Sequence, residues 1–217
     1  MKVILRVYFS SYHHWAARHF SELAQQIEGA HSGEPSFDIR HRAYVTNAVL
    51  SSVAFMEAAI NELFQDVVDS HESYVSPLGK NTRALMASHW SLTEGHARSA
   101  LPVVDRYQLV LNFAGLETFS EGKQPYQDAQ LLVRLRNYLV HYKPEDVSRG
   151  DEHKLERQLR GKFPENQMMP GNPFIPDRCL GAGCAHWSVR ASRAYLDEFH
   201  ERIQVVPNYQ RVSFGQP

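Results

Sequence analysis

Arg136 and His141 stand with four residues between them in the segment Arg136-Asn137-Tyr138-Leu139-Val140-His141. The arginine carries a charge that no physiological pH removes, on a planar fork suited to holding an anion. The histidine titrates near neutrality and can move a proton. An anion holder and a proton carrier, one helical turn or so apart, are the parts that acid–base chemistry on a charged substrate needs. The two bear on one another. His141 falls in the last turn of its helix, where the dipole favours the imidazolium, while the charge of Arg136 opposes it. Base and acid roles for His141 therefore stay open at the level of sequence.

The element that must position these groups reads YQDAQLLVRLRNYLVHY over residues 126–142. Pro125 suits a first helical position, and Asp128 suits the first turn. Lys143 precedes Pro144, so the helix is expected to end near Tyr142. Leu131, Leu132, Leu135, Tyr138, Leu139 and Tyr142 form one apolar stripe, expected to face a core. Val133, Arg136, Asn137, Val140 and His141 form a second, with valines where a solvated face would carry charge. Two arrangements fit that second stripe: a contact with another subunit, or a helix buried on both sides within one chain.

Around this helix the apolar spacing is helical rather than alternating. It predicts helices over about 10–27, 44–70, 83–92, 103–114 and 189–203, and a short polar one within 151–159, after an extended start at 3–8. In the second of these Val45, Val49, Val53, Met56, Ile60, Leu63 and Val67 share one side. At 1.5 Å per residue it would run roughly 40 Å, enough to form the spine of a bundle. No segment reads as a central strand, so the expected class is all-α, a helical bundle. Residues 164–184, rich in proline and glycine, are expected to form a long loop over the surface.

The motif, at the end of a late helix, resembles the Arg-polar-x-x-x-His signature of the HEPN superfamily of α-helical domains. There an arginine, usually followed by a polar residue, precedes a histidine with four to six residues between them, and here there are four. Phe55-Met56-Glu57-Ala58-Ala59-Ile60-Asn61-Glu62-Leu63-Phe64 also looks like the long helix that many prokaryotic members place before the motif. The resemblance covers about 44–145 and leaves the first forty residues and the tail after Gly150 uncovered. With the length and the helical pattern of the remainder, one helical domain is expected over 1–217: an HEPN-like core at about 44–145, the irregular loop at 164–184, and a C-terminal helix and tail over 185–217.

By resemblance, the chain is expected to be a metal-independent endoribonuclease acting as a homodimer, a bacterial toxin or antiphage defence component with an antitoxin or regulatory protein as a further partner. The two motif helices would meet across the interface and line a cleft. A base takes the proton of a ribose 2′-hydroxyl, which attacks the adjacent phosphate while a cation stabilises the developing charge. Arg136 and His141 would supply the cation and the proton transfer, and Asn137 would orient a phosphate oxygen or the imidazole. No cofactor is implied. The rival expectation is a non-catalytic module of the same type that dimerises or binds RNA or a partner protein. A more distant one is a plain helical interaction protein with a chance motif.

Glu57 and Asn61 share a helix face at i and i+4. They are candidates to buttress the Arg–His site, or else a polar edge capable of a side-chain hydrogen bond. Between residues 134 and 162 eight Lys or Arg face five acids, counting Arg134, Lys143 and Arg149 on one side and Glu145, Asp146 and Asp151 on the other. Residues 1–72 have five basic and nine acidic residues. Arg134 and Lys143 beside the motif are therefore candidate RNA contacts, with a solvated face of ion pairs as the alternative. Cys179, Cys184 and His186 invite a zinc site, but a second ligand pair is missing unless His200 is recruited, so two free buried thiols are expected. His13, His14 and His19, or His89 and His96, have no accompanying carboxylate pattern, and metal chemistry is not expected.

The rest of the chain limits the alternatives. A net charge of −1 leaves RNA contact to a local patch. Two cysteines in 217 residues give no disulfide framework. The apolar stretch after Met1 is too short for a secretory signal and no run reads as a membrane span, so a cytoplasmic protein is expected. Neither a glycine-rich phosphate loop nor a Gly-x-Ser-x-Gly elbow is present, which argues against nucleotide hydrolases and esterases.

Overall fold

A computed structural model describes residues 5–31, 35–92, 101–144, 152, 154–168 and 172–211. Val3, His96, Glu145, Asp146, Arg149 and Asp151, named above, lie outside these residues, as do 169–171 of the expected loop. The architecture is all-α, and no strand occurs among the described residues. Its helices are α1 (Phe9–Ala30), α2 (Ile39–Val68), α3 (Glu72–Val75), α4 (Lys80–Leu92), α5 (Val103–Phe113), α6 (Tyr126–Val140), α7 (Lys154–Leu159), α8 (Ala182–Ile203) and α9 (Asn208–Arg211).

α2 is the spine, packing against α1, α8, α4, α6 and α5. It starts five residues before the apolar periodicity does because Asp38 caps it, accepting from the backbone N–H groups of Arg40 and His41 at 2.7 and 3.2 Å. Its seven predicted core residues are all buried. By length and composition alone α2 could cross a membrane, which corrects the expectation that no run reads so. Here its apolar side is taken up by neighbouring helices instead. Across from it, Tyr107 of α5 stands edge-on to Tyr195 and Phe199 of α8 and donates to the Met56 carbonyl at 2.7 Å. Fully buried aromatics with satisfied hydroxyls fix how the helices sit.

The region 164–184 is not the surface loop that its composition predicts. Met168, Phe174, Ile175, Cys179 and Leu180 are buried, and Phe174–Arg178 forms a turn with extended backbone at Ile175. The Asn166 amide, itself buried, donates to the carbonyl of Asp177 at 3.0 Å, while Asp177 accepts from Arg42 at 2.8 Å. α8 begins seven residues earlier than predicted, and two glycines explain it. A Cβ on Gly181 would meet Asn166 Cα at 2.6 Å, and one on Gly183 would meet the Pro164 carbonyl oxygen at 2.3 Å. They are there for close approach rather than for a flexible loop.

Where this segment meets the bundle, buried Glu28 ties three elements together. Its carboxylate accepts from His41 Nε2 at 3.0 Å, from the Ala182 N–H at 2.7 Å and from the Gln167 N–H at 3.2 Å. A carboxylate on the first N–H of α8 also complements that helix's dipole.

Candidate functional site

α6 presents Leu131, Leu132 and Leu135 to the core as expected, with Tyr138 and Leu139 half-buried against it. The helix ends at Val140, and Tyr142, expected on the core stripe, lies beyond it and is 52% exposed. The second stripe divides. Val133 packs partly against the chain's own core, whereas Asn137, Val140 (53% exposed) and His141 face outward. The doubly buried arrangement therefore holds for the first half of α6 and fails for the second. His141 terminates the helix, its N–H bonded to the Asn137 carbonyl at 2.9 Å, and its side chain is free to meet solvent.

Arg136 is different. Its side chain is 22% exposed and turns toward α2, where Nη2 donates to Glu57 Oε1 in an ion pair. Glu57, named as a candidate support for the Arg–His site, is therefore in contact with the motif arginine. Asn61, one turn further along α2, does not touch the motif: its Oδ1 accepts from Nη1 of Arg106, on α5, at 2.6 Å. Arg106 also donates through Nε to the Leu101 carbonyl at 3.2 Å. Burial lowers its pKa, partly offset by the Glu57 charge.

α1 adds a further group. Ser10 bonds to Glu62 at 2.6 Å, and the His14 ring lies 4.8 Å from that of Phe55. Contacts that descend along α2 as they ascend along α1 mean antiparallel packing, which sets His13 alongside Glu57. Burial lowers the pKa of His13, and the Glu57 carboxylate works against that shift. Four helices thus contribute His13, Glu57, Asn61, Arg106 and Arg136 to one half-buried polar cluster.

Sequence reasoning missed Arg106 and His13. Arg106 sits beside core residue Tyr107 with no motif around it, and His13 looked like one of several scattered histidines. Only the register between helices brings them in.

The other candidates lie apart. Arg134 is exposed and reaches Gln158 of α7 at 3.3 Å, and Lys143 is exposed beyond α6. Cys179 and Cys184 are free and buried, as expected; the Cys179 thiol and burial together push Cys184 well above its ordinary value. His14 and His200 are packed groups pushed down to about 4, mainly by burial. His19 stacks on Trp15. Among the described residues no three His, Cys, Asp or Glu converge as metal ligands.

Chemically, the cluster offers two guanidinium groups opposed by one carboxylate, with an imidazole at its edge and another, His141, exposed at the end of the same helix as Arg136. That combination can receive an anion and exchange protons nearby. Comparison with known proteins adds no relative: no family model, no curated protein and no solved structure matches the chain.

Proposed function

We propose that this chain is a metal-independent endoribonuclease of HEPN type, cutting RNA by 2′-hydroxyl attack in a cleft between two copies. Its setting is the cytoplasm, as a bacterial toxin or antiphage defence component under the control of an antitoxin or regulator. The observation that carries this reading is the conduct of Arg136. It leaves the motif helix for a half-buried polar cluster instead of extending into water, while His141 stays exposed at the helix end. In the reaction, Arg136 holds the scissile phosphate and stabilises its added negative charge. His141 serves proton transfer, between the attacking 2′-hydroxyl or the departing 5′-oxygen and solvent. Asn137, one residue beyond Arg136 and exposed, orients the phosphate or the imidazole. Arg134 and Lys143 contact neighbouring phosphates, and the outward Val140 meets the second copy.

One observation favours the non-catalytic alternative, a dimerising or RNA-binding module: in the free chain Glu57 already neutralises Arg136. Expression in a bacterial host separates the two. The ribonuclease reading expects growth arrest with fragmented RNA, relieved by Arg136→Ala. Normal growth with intact RNA at high expression favours the module.

A further inference from the structure

Arg106 belongs to no motif, yet it is built into the same cluster as Arg136. α2 holds the two arginines one turn apart. Glu57 takes Nη2 of Arg136, and Asn61 takes Nη1 of Arg106 at 2.6 Å. The Leu101 carbonyl fixes Nε of Arg106, so its guanidinium is anchored at two points, Nε and Nη1. Its remaining N–H groups bond to nothing among the described residues. The single carboxylate of Glu57 acts on both arginines. Two cations thus share one carboxylate in a half-buried place, where charges interact more strongly than in water. Among the described residues no other carboxylate pairs with them, which leaves them net positive. A phosphodiester has the charge of that carboxylate and fits the planar fork of a guanidinium.

We propose that Arg106 and Arg136 form a two-arginine clamp for one backbone phosphate of single-stranded RNA, and that Glu57 fills the clamp until the phosphate displaces it. Arg106 is then a substrate-binding residue contributed by α5, and Glu57 is an internal competitor. The ligand class rests on the ribonuclease reading, but the clamp is a statement about binding and stands or falls apart from cleavage.

The test is fluorescence anisotropy with a single-stranded RNA oligonucleotide carrying 2′-O-methyl groups throughout, which cannot be cut by 2′-hydroxyl attack. Affinity is measured at several salt concentrations. Arg106→Gln retains a donor for Asn61 but lacks the charge. It should weaken binding about tenfold and lower the slope of log affinity against log salt by roughly 0.7, the value for one phosphate contact on a single strand. Arg106→Lys should recover the slope but only part of the affinity. Glu57→Gln should tighten binding several-fold, and this gain should vanish in an Arg136→Gln background. Thermal melts identify any variant that has lost its fold, a loss that would not alter the salt slope of a folded fraction.

Wild-type affinity and slope in folded Arg106→Gln overturn the clamp. So does weaker binding by folded Glu57→Gln, which would make Glu57 a support for Arg136 and not its competitor. Failure of the wild-type protein to bind the oligonucleotide overturns it too. Binding with the expected pattern but no cleavage of unmodified RNA leaves the clamp standing and removes only the ribonuclease reading.

Discussion

Arg136 and His141 differ in what the fold asks of them. The leucines of α6 hold the helix in place; among the described residues Arg136 contributes one ion pair at a partly exposed site and His141 no side-chain bond. Replacing either with alanine should therefore leave melting temperature nearly unchanged, since partly exposed ion pairs contribute about 1 kcal/mol or less. RNA cleavage should fall about a hundredfold or more in each variant. Arg136→Lys should also be poor, because an ammonium cannot reproduce the bidentate fork. Melting curves and cleavage rates on the same preparations check both halves. At this scale the sequence showed the motif and the Glu57 partner. It did not show Arg106 or His13, whose contribution comes from the packing register and not from neighbours along the chain.

Among the elements, α2 was nearly complete in the pattern of its apolar residues, since all seven predicted core positions are buried. Its first turn was not, because Asp38, a capping residue, lies outside any hydrophobic periodicity. α8 was read seven residues short. Gly181 and Gly183 signal a loop by composition, while their actual role is to let the helix start press on Asn166 and Pro164. The same composition disguised 164–181 as a surface loop, although Met168, Phe174, Ile175 and Leu180 in it are buried.

Glu28 holds this junction together, and its pH behaviour follows from its partners. Burial opposes its ionisation, but hydrogen bonds from His41, Ala182 and Gln167 outweigh that and hold its pKa below the ordinary carboxylate value. A carboxyl group depressed in the fold adds stability above its unfolded pKa, and loses it as pH falls through the folded one. Glu28→Gln should cost about 2 kcal/mol at pH 7, from charge-assisted bonds lost in a buried place. The gap between wild type and variant should narrow as pH drops below 4.5. Urea denaturation at pH 7 and pH 4 measures both.

For the whole molecule, the outward end of α6 is the feature to be accounted for. Val140 and Tyr142 are both about half exposed beside Asn137 and His141, a mixture of apolar and functional groups that a second copy would cover. The proposed homodimer should form at micromolar concentration. Val140→Asp should weaken it about tenfold or more by placing an unpaired charge in the contact. Sedimentation velocity across a dilution series gives the answer, and a wild-type monomer at tens of micromolar would exclude the two-copy cleft. The charge asymmetry along the sequence does not by itself place a basic face at that end. Arg134 is engaged with Gln158, and several of the counted charges lie outside the described residues.

The central claim concerns how the bond is cut, and product chemistry tests it most directly. Purified protein is incubated with a short single-stranded RNA in the presence of chelator, and the fragments are weighed by mass spectrometry. Attack by the ribose hydroxyl predicts a 2′,3′-cyclic phosphate on one fragment and a 5′-hydroxyl on the other. It also predicts resistance when the single sugar at the cut site is 2′-deoxy, and loss of cutting in Arg136→Ala and His141→Ala. Cleavage that needs magnesium or manganese, leaves a 5′-phosphate, or proceeds at wild-type rate in both alanine variants would contradict the account.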